Sequence, residues 1–496
     1  LFGSVIFLAG ILNILRETAA LIFIVGIILV IISVKHKYNP AELITGGTVI
    51  CALSLAALLL FTYGTKFTSY DNFSHWGTAV RLLVTKNRFP NFEDSVIYFD
   101  SYPLGSASLI FYFSKITGIH GEWFYIWVQQ IVTVCCVGSL FVFCKKKRPL
   151  EYLACSIAVF CILFCTNGVN ITAGIQVDTL LSALGIAGIA ICFYYRENLN
   201  EKLFLLMPIN IFSATVKNSG VFFTAIITLF CIYRIARTGK FKTLYSPVNI
   251  ASLLSPFIVM FLWKKHVSFV FSEGMSAKHS VSVENYSKVF SDKTPEIISE
   301  ISHSFLKKVF SFGNTFLIIL IALLATLILL RIFKIKAPVY GEAAVLIIGS
   351  YIIYQLGNYF MYIFSMPNNE ALTLACYDRY YTTIITFSAG VFWILFTEVY
   401  GLFTEKAACT WQKAVISGIA YTAAVSGIIW FSVIPNLNYL KKTVYAGSDR
   451  QILDSVAEKY AVNIQTEKSY AVIWEFDKAG YRYFVSRYVF NTGEIT

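Results

Sequence analysis

Apolar runs separated by short polar connections follow one another along most of the chain. A helix needs about 20 apolar residues to cross the hydrocarbon of a bilayer. By that measure the sequence predicts thirteen membrane helices, over residues 1–15, 18–34, 46–64, 121–144, 152–167, 176–195, 203–217, 219–236, 247–263, 313–333, 341–364, 380–402 and 414–434. The expected class is an all-α polytopic membrane protein. The first run lacks a basic segment before it and reads as a membrane helix rather than a secretory signal.

After residue 435 the pattern changes. A polar helix is expected near 449–460, then two alternating stretches, 469–476 and 481–490, joined by Asp477-Lys478-Ala479-Gly480 as a hairpin turn. Three regions result: two extra helices over 1–45, a main membrane unit over 46–435, and a small α+β unit over 436–496. The main unit carries two long connections, 65–120 and 264–312.

Orientation follows from the basic connections. His36-Lys37, Lys145-Lys146-Lys147-Arg148, Arg196 with Lys202, the stretches 234–242 and 331–336, and Lys406 with Lys413 fall on one side when the thirteen helices alternate. Basic residues collect on the cytoplasmic side, so the other connections are expected to face outward. Lys264-Lys265 and Lys307-Lys308 break the rule. They are expected either on an amphipathic segment lying along the bilayer or against an anionic ligand.

Composition agrees: the 496 residues are 57% hydrophobic and only 14% charged, which no ordinary water-soluble domain tolerates. The net charge of +12 would suit nucleic acid, yet the Lys and Arg sit in short clusters between apolar runs rather than on one basic face. Nucleic acid is not an expected partner. Most of the eleven cysteines lie within apolar runs, where a thiol acts as a small hydrophobe, and no disulfide framework is expected. No CxxC, HExxH, P-loop or dinucleotide fingerprint is present.

The residues with chemistry to offer lie on the outward connections. Asp71, in Ser69-Tyr70-Asp71-Asn72-Phe73-Ser74-His75-Trp76, follows a membrane helix, where a partly desolvated carboxylate can serve as a general base or cap the next helix. His75, four residues on, shares its helix face and is a binding or a structural group. Asp178 opens a membrane helix and either caps it or meets a substrate. Lys217, in the tight turn Val216-Lys217-Asn218-Ser219-Gly220, and Arg379, in Cys376-Tyr377-Asp378-Arg379-Tyr380-Tyr381, are cations at membrane depth. Such cations have partners or functions. For Lys217 the plain alternative is snorkelling to the interface, and for Arg379 a salt bridge to Asp378 or a distant carboxylate.

The order of these segments resembles the GT-C superfamily of membrane glycosyltransferases, notably its aminoarabinose transferase and protein O-mannosyltransferase branch. Shared features are an acidic residue after a membrane helix, an amphipathic juxtamembrane helix (here 76–86), a Phe-Pro (Phe89-Pro90), and a Pro-containing turn (Tyr102-Pro103-Leu104-Gly105). To these the outward Lys turn and the Arg-Tyr pair are added. The chain departs from the branch in its two extra N-terminal helices, in His75-Trp76, and in having one Pro at the turn where two are common.

The resemblance implies transfer of a sugar from a polyprenyl-phosphate donor to an acceptor hydroxyl on a lipid, glycan or protein, at the outer face of a bacterial plasma membrane. It makes Asp71 the catalytic base and His75, Tyr102, Asp178, Lys217 and Arg379 substrate-binding residues. No cofactor is assigned; Asp71 with Asp178 would be the pair to hold a divalent cation, which the resembled branch is thought not to need. A polysaccharide polymerase or ligase would be expected to use arginines in the 264–312 connection, which contains none. A transporter of lipid-linked glycans would be expected to show related halves with ionisable groups at the bilayer midplane.

Overall fold

The computed structural model describes residues 1–36, 39, 44–144, 149–271, 283–311, 315–406, 445–459, 471–474 and 480–490. Among these residues every regular element is helical. The helices are α1 (Phe2–Ile11), α2 (Leu15–Lys35), α3 (Gly46–Thr62), α4 (Gly77–Lys86), α5 (Gly105–Thr117), α6 (Glu122–Gly138), α7 (Pro149–Thr172), α8 (Asp178–Tyr194) and α9 (Leu199–Lys202). There follow α10 (Leu206–Val216), α11 (Gly220–Arg237), α12 (Pro247–Val270), α13 (Val283–Ser291), α14 (Pro295–Val309), α15 (Thr315–Ile332), α16 (Pro338–Phe364), α17 (Asn368–Leu372), α18 (Tyr377–Lys406), α19 (Asp449–Lys459) and α20 (Tyr481–Phe490).

Among the described residues seven helices are long and apolar enough to cross a bilayer: α2, α6 with its continuation to Phe143, α11, α12, α15, α16 and α18. The chain is thus an all-α polytopic membrane protein. Helices α1, α3 and α8 and the first part of α7 are apolar but shorter. The expected helix over 203–217 is a short 3-10 turn followed by the eleven-residue α10, about 17 Å long at 1.5 Å per residue. The expected helix over 414–434 lies outside the described residues, as do Lys37, Lys145-Lys146-Lys147-Arg148 and Lys413.

Side-chain chemistry sets the helix starts. Thr45 and Thr48 form a reciprocal capping box at α3, and Ser246 before Pro247 and Thr294 before Pro295 cap α12 and α14. Helix α8 forms the centre: nearly all its residues are buried, against α6, α10, α11 and α18. Gly185 lies against Phe223 and Phe387, and Gly188 against Ile227. Small residues of this kind let membrane helices approach closely, where packing rather than the hydrophobic effect drives association. At the periphery, α2 leaves most of its Leu, Ile and Val side chains outward, as a lipid-facing helix should.

The 264–312 connection begins later than expected, because α12 continues to Val270 with Lys264 and Lys265 inside it. Lys307 and Lys308 close the amphipathic α14, whose Ile301 and Phe305 are buried beside Tyr362 and Tyr377. The second pair therefore lies on an amphipathic helix, whose buried apolar residues pack on the protein itself. In the 65–120 connection, the expected helix 76–86 is α4, preceded by one widened π-type turn over Asn72–Trp76.

One expectation is corrected. Residues 481–490 are helix α20, not a strand, and 471–474 are not in a strand either. Every residue from Phe484 to Phe490 is buried, so the segment is enclosed on all sides and lacks the one-sided burial that an alternating strand implies. The proposed hairpin residues 477–479 lie outside the described residues. Helices α19 and α20 pack on each other and on the stretch between α3 and α4.

Candidate functional site

Four helix ends meet at one point. Asp71 arrives nine residues beyond α3, Asp178 is the first residue of α8, Lys217 is the residue at which α10 ends in extended backbone, and Arg379 lies in the first turn of α18. Asp178 and Arg379 stand where apolar helices begin and Lys217 where one ends, while Asp71 opens the turn that leads into α4. The turn that presents Lys217 requires Gly220: a Cβ there would lie 1.9 Å from the Ser213 carbonyl oxygen. Gly174 is also closely approached: its Cβ would fall 2.8 Å from the side-chain amide nitrogen of Asn72.

The four charges form a chain. Lys217 Nζ donates to Asp178 Oδ1 at 3.0 Å, Arg379 Nε lies 3.3 Å from Asp178 Oδ2, and a terminal nitrogen of Arg379 donates to Asp71 Oδ2. Gln176 Nε2 donates to the same Asp71 oxygen at 3.2 Å. Tyr380 lies beside both cations, its ring centre 5.4 Å from Lys217 Nζ and 5.4 Å from the Arg379 guanidinium carbon. With two carboxylates and two cations the cluster is formally neutral, which lets it persist at membrane depth. The side chains differ in access: Asp178 is 5% exposed and Lys217 13%, against 21% for Arg379 and 24% for Asp71.

For Arg379 the plain alternative, a salt bridge to distant carboxylates, is the contact that forms. Asp71 occupies a helix-capping position but makes no capping bond; its carboxylate is turned to Arg379 and Gln176. Arg379 pairs with two distant carboxylates, while Asp378 is met by Lys308 at 3.2 Å. Lys217 does not snorkel outward; its ammonium is held by Asp178.

His75 and Tyr102 stand next to this cluster. The His75 ring is buried with its centre 5.0 Å from that of Tyr102 and 6.1 Å from that of Phe99. Neither ring nitrogen has a hydrogen-bond partner. Burial, with Lys217 nearby, lowers its pKa to about 3, so the imidazole is neutral at physiological pH. Burial likewise raises the Tyr102 phenol to about 12. Both are neutral polar groups, and Lys217 lies near each. No three His, Cys, Asp or Glu side chains converge among the described residues, and Asp71 and Asp178 share Arg379 as their counter-ion.

Two participants, Asn72 and Gln176, carry no role assigned from sequence, and a third, Glu122, is only a weaker acidic candidate beside Asp178. Asn72 accepts from the Ile175 backbone N–H at 3.2 Å and donates to Ser69 Oγ at 2.9 Å, fixing the Asp71 segment to the turn before α8. Gln176 orients Asp71. Glu122, at the start of α6, takes the Phe67 N–H at 2.5 Å, the Tyr488 hydroxyl at 3.0 Å and Arg450 at 3.0 Å. It thereby joins the C-terminal helices to the stretch that leads into Asp71. Tyr70 meets Phe484 and Phe73 meets Tyr488, each with ring centres 5.2 Å apart.

The opposite helix ends are basic. Arg196 after α8 meets Glu398 of α18 at 3.0 Å, Arg234 and Arg237 of α11 meet Glu342 of α16, and Lys406 of α18 donates to the Phe333 carbonyl after α15. Two polar layers thus bracket the apolar bundle. The first holds Asp71, Asp178, Lys217 and Arg379; the second holds Arg196, Arg234 and Arg237.

No family model matches the chain, and no curated protein matches it. The functional reading therefore rests on the chemistry of this cluster.

Proposed function

We propose that the protein is a multi-pass membrane glycosyltransferase of GT-C type, moving a sugar from a polyprenyl-phosphate donor to an acceptor hydroxyl in the cell envelope. The convergence of Asp71, Asp178, Lys217 and Arg379 from four separate helix ends carries this reading. A phosphate leaving group needs cations, an acceptor hydroxyl needs a base, and the cluster offers both within one site. In this reading thirteen helices cross the bacterial plasma membrane, and the cluster faces outward.

The donor phosphate is bound by Arg379 and Lys217. Asp71 takes the proton of the acceptor hydroxyl, whose oxygen attacks the anomeric carbon. The bond from that carbon to the phosphate oxygen breaks with inversion, and the electron pair leaves on the phosphate. Neutral His75 and Tyr102 offer hydrogen bonds to sugar hydroxyls. Asp178 keeps the two cations in place.

An apolar cavity of about 410 Å³ between α3, α6 and α7, lined by residues such as Leu58, Phe61, Val134 and Leu163, supports a lipid-borne donor. A separate small space is bordered by Gln129, Gln130, Thr133 and Gln176, and Gln176 bonds Asp71. The direct test is mass spectrometry of envelope glycans from cells with and without the protein. Loss of one sugar residue from one acceptor is expected; unchanged glycans would reject the reading.

A further inference from the structure

The two cations proposed to receive the donor phosphate are already neutralised by carboxylates of the chain itself, and the two carboxylates are not equivalent. Asp178 is almost fully enclosed and bridges Lys217 and Arg379. Removing it would strand Lys217 without its counter-ion and leave Arg379 with Asp71 alone. Asp71 is about a quarter exposed, sits in the connection between α3 and α4 rather than within a membrane helix, and meets Arg379 alone among the cations. Its other partner is the neutral amide of Gln176, which remains a partner if Arg379 is lost. The Asp71–Arg379 contact is therefore the one that an incoming anion can replace at least cost.

We infer that Asp71 occupies the position on Arg379 that a phosphate-bearing ligand takes, so that phosphate binding and release of the Asp71 carboxylate are a single exchange. A phosphate presents paired anionic oxygens to a guanidinium as a carboxylate does, with more charge and more acceptors. When the phosphate displaces Asp71, the carboxylate stays beside Gln176 and is free of its cation. A carboxylate paired with Arg is a poor base; one released from it accepts a proton more readily. The exchange makes Asp71 a placeholder before the donor arrives and a base afterwards. This inference rests on the phosphate-donor reading given above, and it orders that reaction: donor first, acceptor activation second.

The test uses the full-length protein in lipid nanodiscs, with a long-chain isoprenyl monophosphate and inorganic phosphate as probes. Asp71→Asn and Asp71→Ala are expected to bind the isoprenyl phosphate about tenfold more tightly than wild type, the factor that corresponds to about 1.4 kcal/mol, because the competing anion is gone. Arg379→Gln is expected to lose binding. Tightening with the isoprenyl phosphate alone identifies a lipid-borne phosphate; tightening with both probes identifies the phosphate group itself as the determinant. In wild type, saturating isoprenyl phosphate is expected to raise carbodiimide labelling of Asp71, read by peptide mass spectrometry, which needs no variant to fold. Unchanged or weaker binding by folded Asp71 variants, or labelling unaffected by the ligand, overturns the exchange. Tightened binding with unchanged envelope glycans would keep the exchange and reject the transferase. Absence of phosphate binding in every form would reject both.

Discussion

Asp71 and Asp178 carry the same carboxylate on unequal supports, and substitution should separate them. Asp71→Asn is expected to lower sugar transfer by about 10²–10⁴-fold, the usual share of a general base, with thermal unfolding in detergent little changed. Asp178→Asn is expected to lower stability by roughly 3–5 kcal/mol, because it strands Lys217 and half of the Arg379 charge in a buried site; the same thermal melt reads it. His75 gives a pH signature. Its folded pKa of about 3 lies below the usual 6.5, so the unfolded chain takes up the proton first as pH falls. Stability from this group is complete above pH 6.5 and is lost as pH drops toward 3, by up to about 1.4 kcal/mol per unit. His75→Phe should flatten that part of the stability profile; a profile identical to wild type would mean that another group sets it. The charged members of the cluster were legible in sequence because each interrupts an apolar run at a helix end. Asn72 and Gln176 were not. Uncharged amides are unremarkable in a connection, and only the fold shows that one clamps a backbone N–H and the other meets Asp71.

At the scale of elements, apolar runs located the helices well and their lengths less well. Helix α10 is eleven residues long where a helix over 203–217 was expected, because the first three residues of the run, Leu203–Leu205, form a 3-10 turn. Helix α20 was missed for another reason. Alternation over ten aromatic-rich residues fits a strand as well as a helix until one knows which side chains are enclosed. The link between α20 and the Asp71 segment is a testable unit. Glu122→Gln is expected to cost about 1–3 kcal/mol, since Arg450 and the Phe67 N–H lose a charged acceptor, and to raise hydrogen exchange over 67–76 more than elsewhere. Uniform exchange across the bundle would instead mark Glu122 as a local packing residue. The tight turn makes a sharper case: Gly220→Ala must push backbone away from the Ser213 carbonyl, and it is expected to reduce stability and to shift Lys217 from Asp178.

At the scale of the molecule, the charge pattern that oriented the sequence reappears as two layers of ion pairs at opposite ends of the bundle. Helix α8 runs between them, from Asp178 to Tyr194 just before Arg196, about 25 Å at 1.5 Å per residue. Labelling with a membrane-impermeant maleimide in intact cells should reach Cys376, which is exposed beside the first layer, in a background without other reactive thiols. A cysteine placed at Lys240, whose side chain meets Glu197 in the second layer, should react only after the membrane is opened. Reaction of both in intact cells would contradict the two-layer arrangement. The contact between Glu122 and Tyr488 joins residues 366 positions apart, and this bears on how the protein is made. During synthesis the stretch around Phe67 leaves the ribosome hundreds of residues before α20 exists to cover it, so the Asp71 segment is the first part of the site to be translated and among the last to be closed. Chains halted before Tyr488 would carry all four charged residues of the cluster and still lack the cover over the stretch that leads to Asp71.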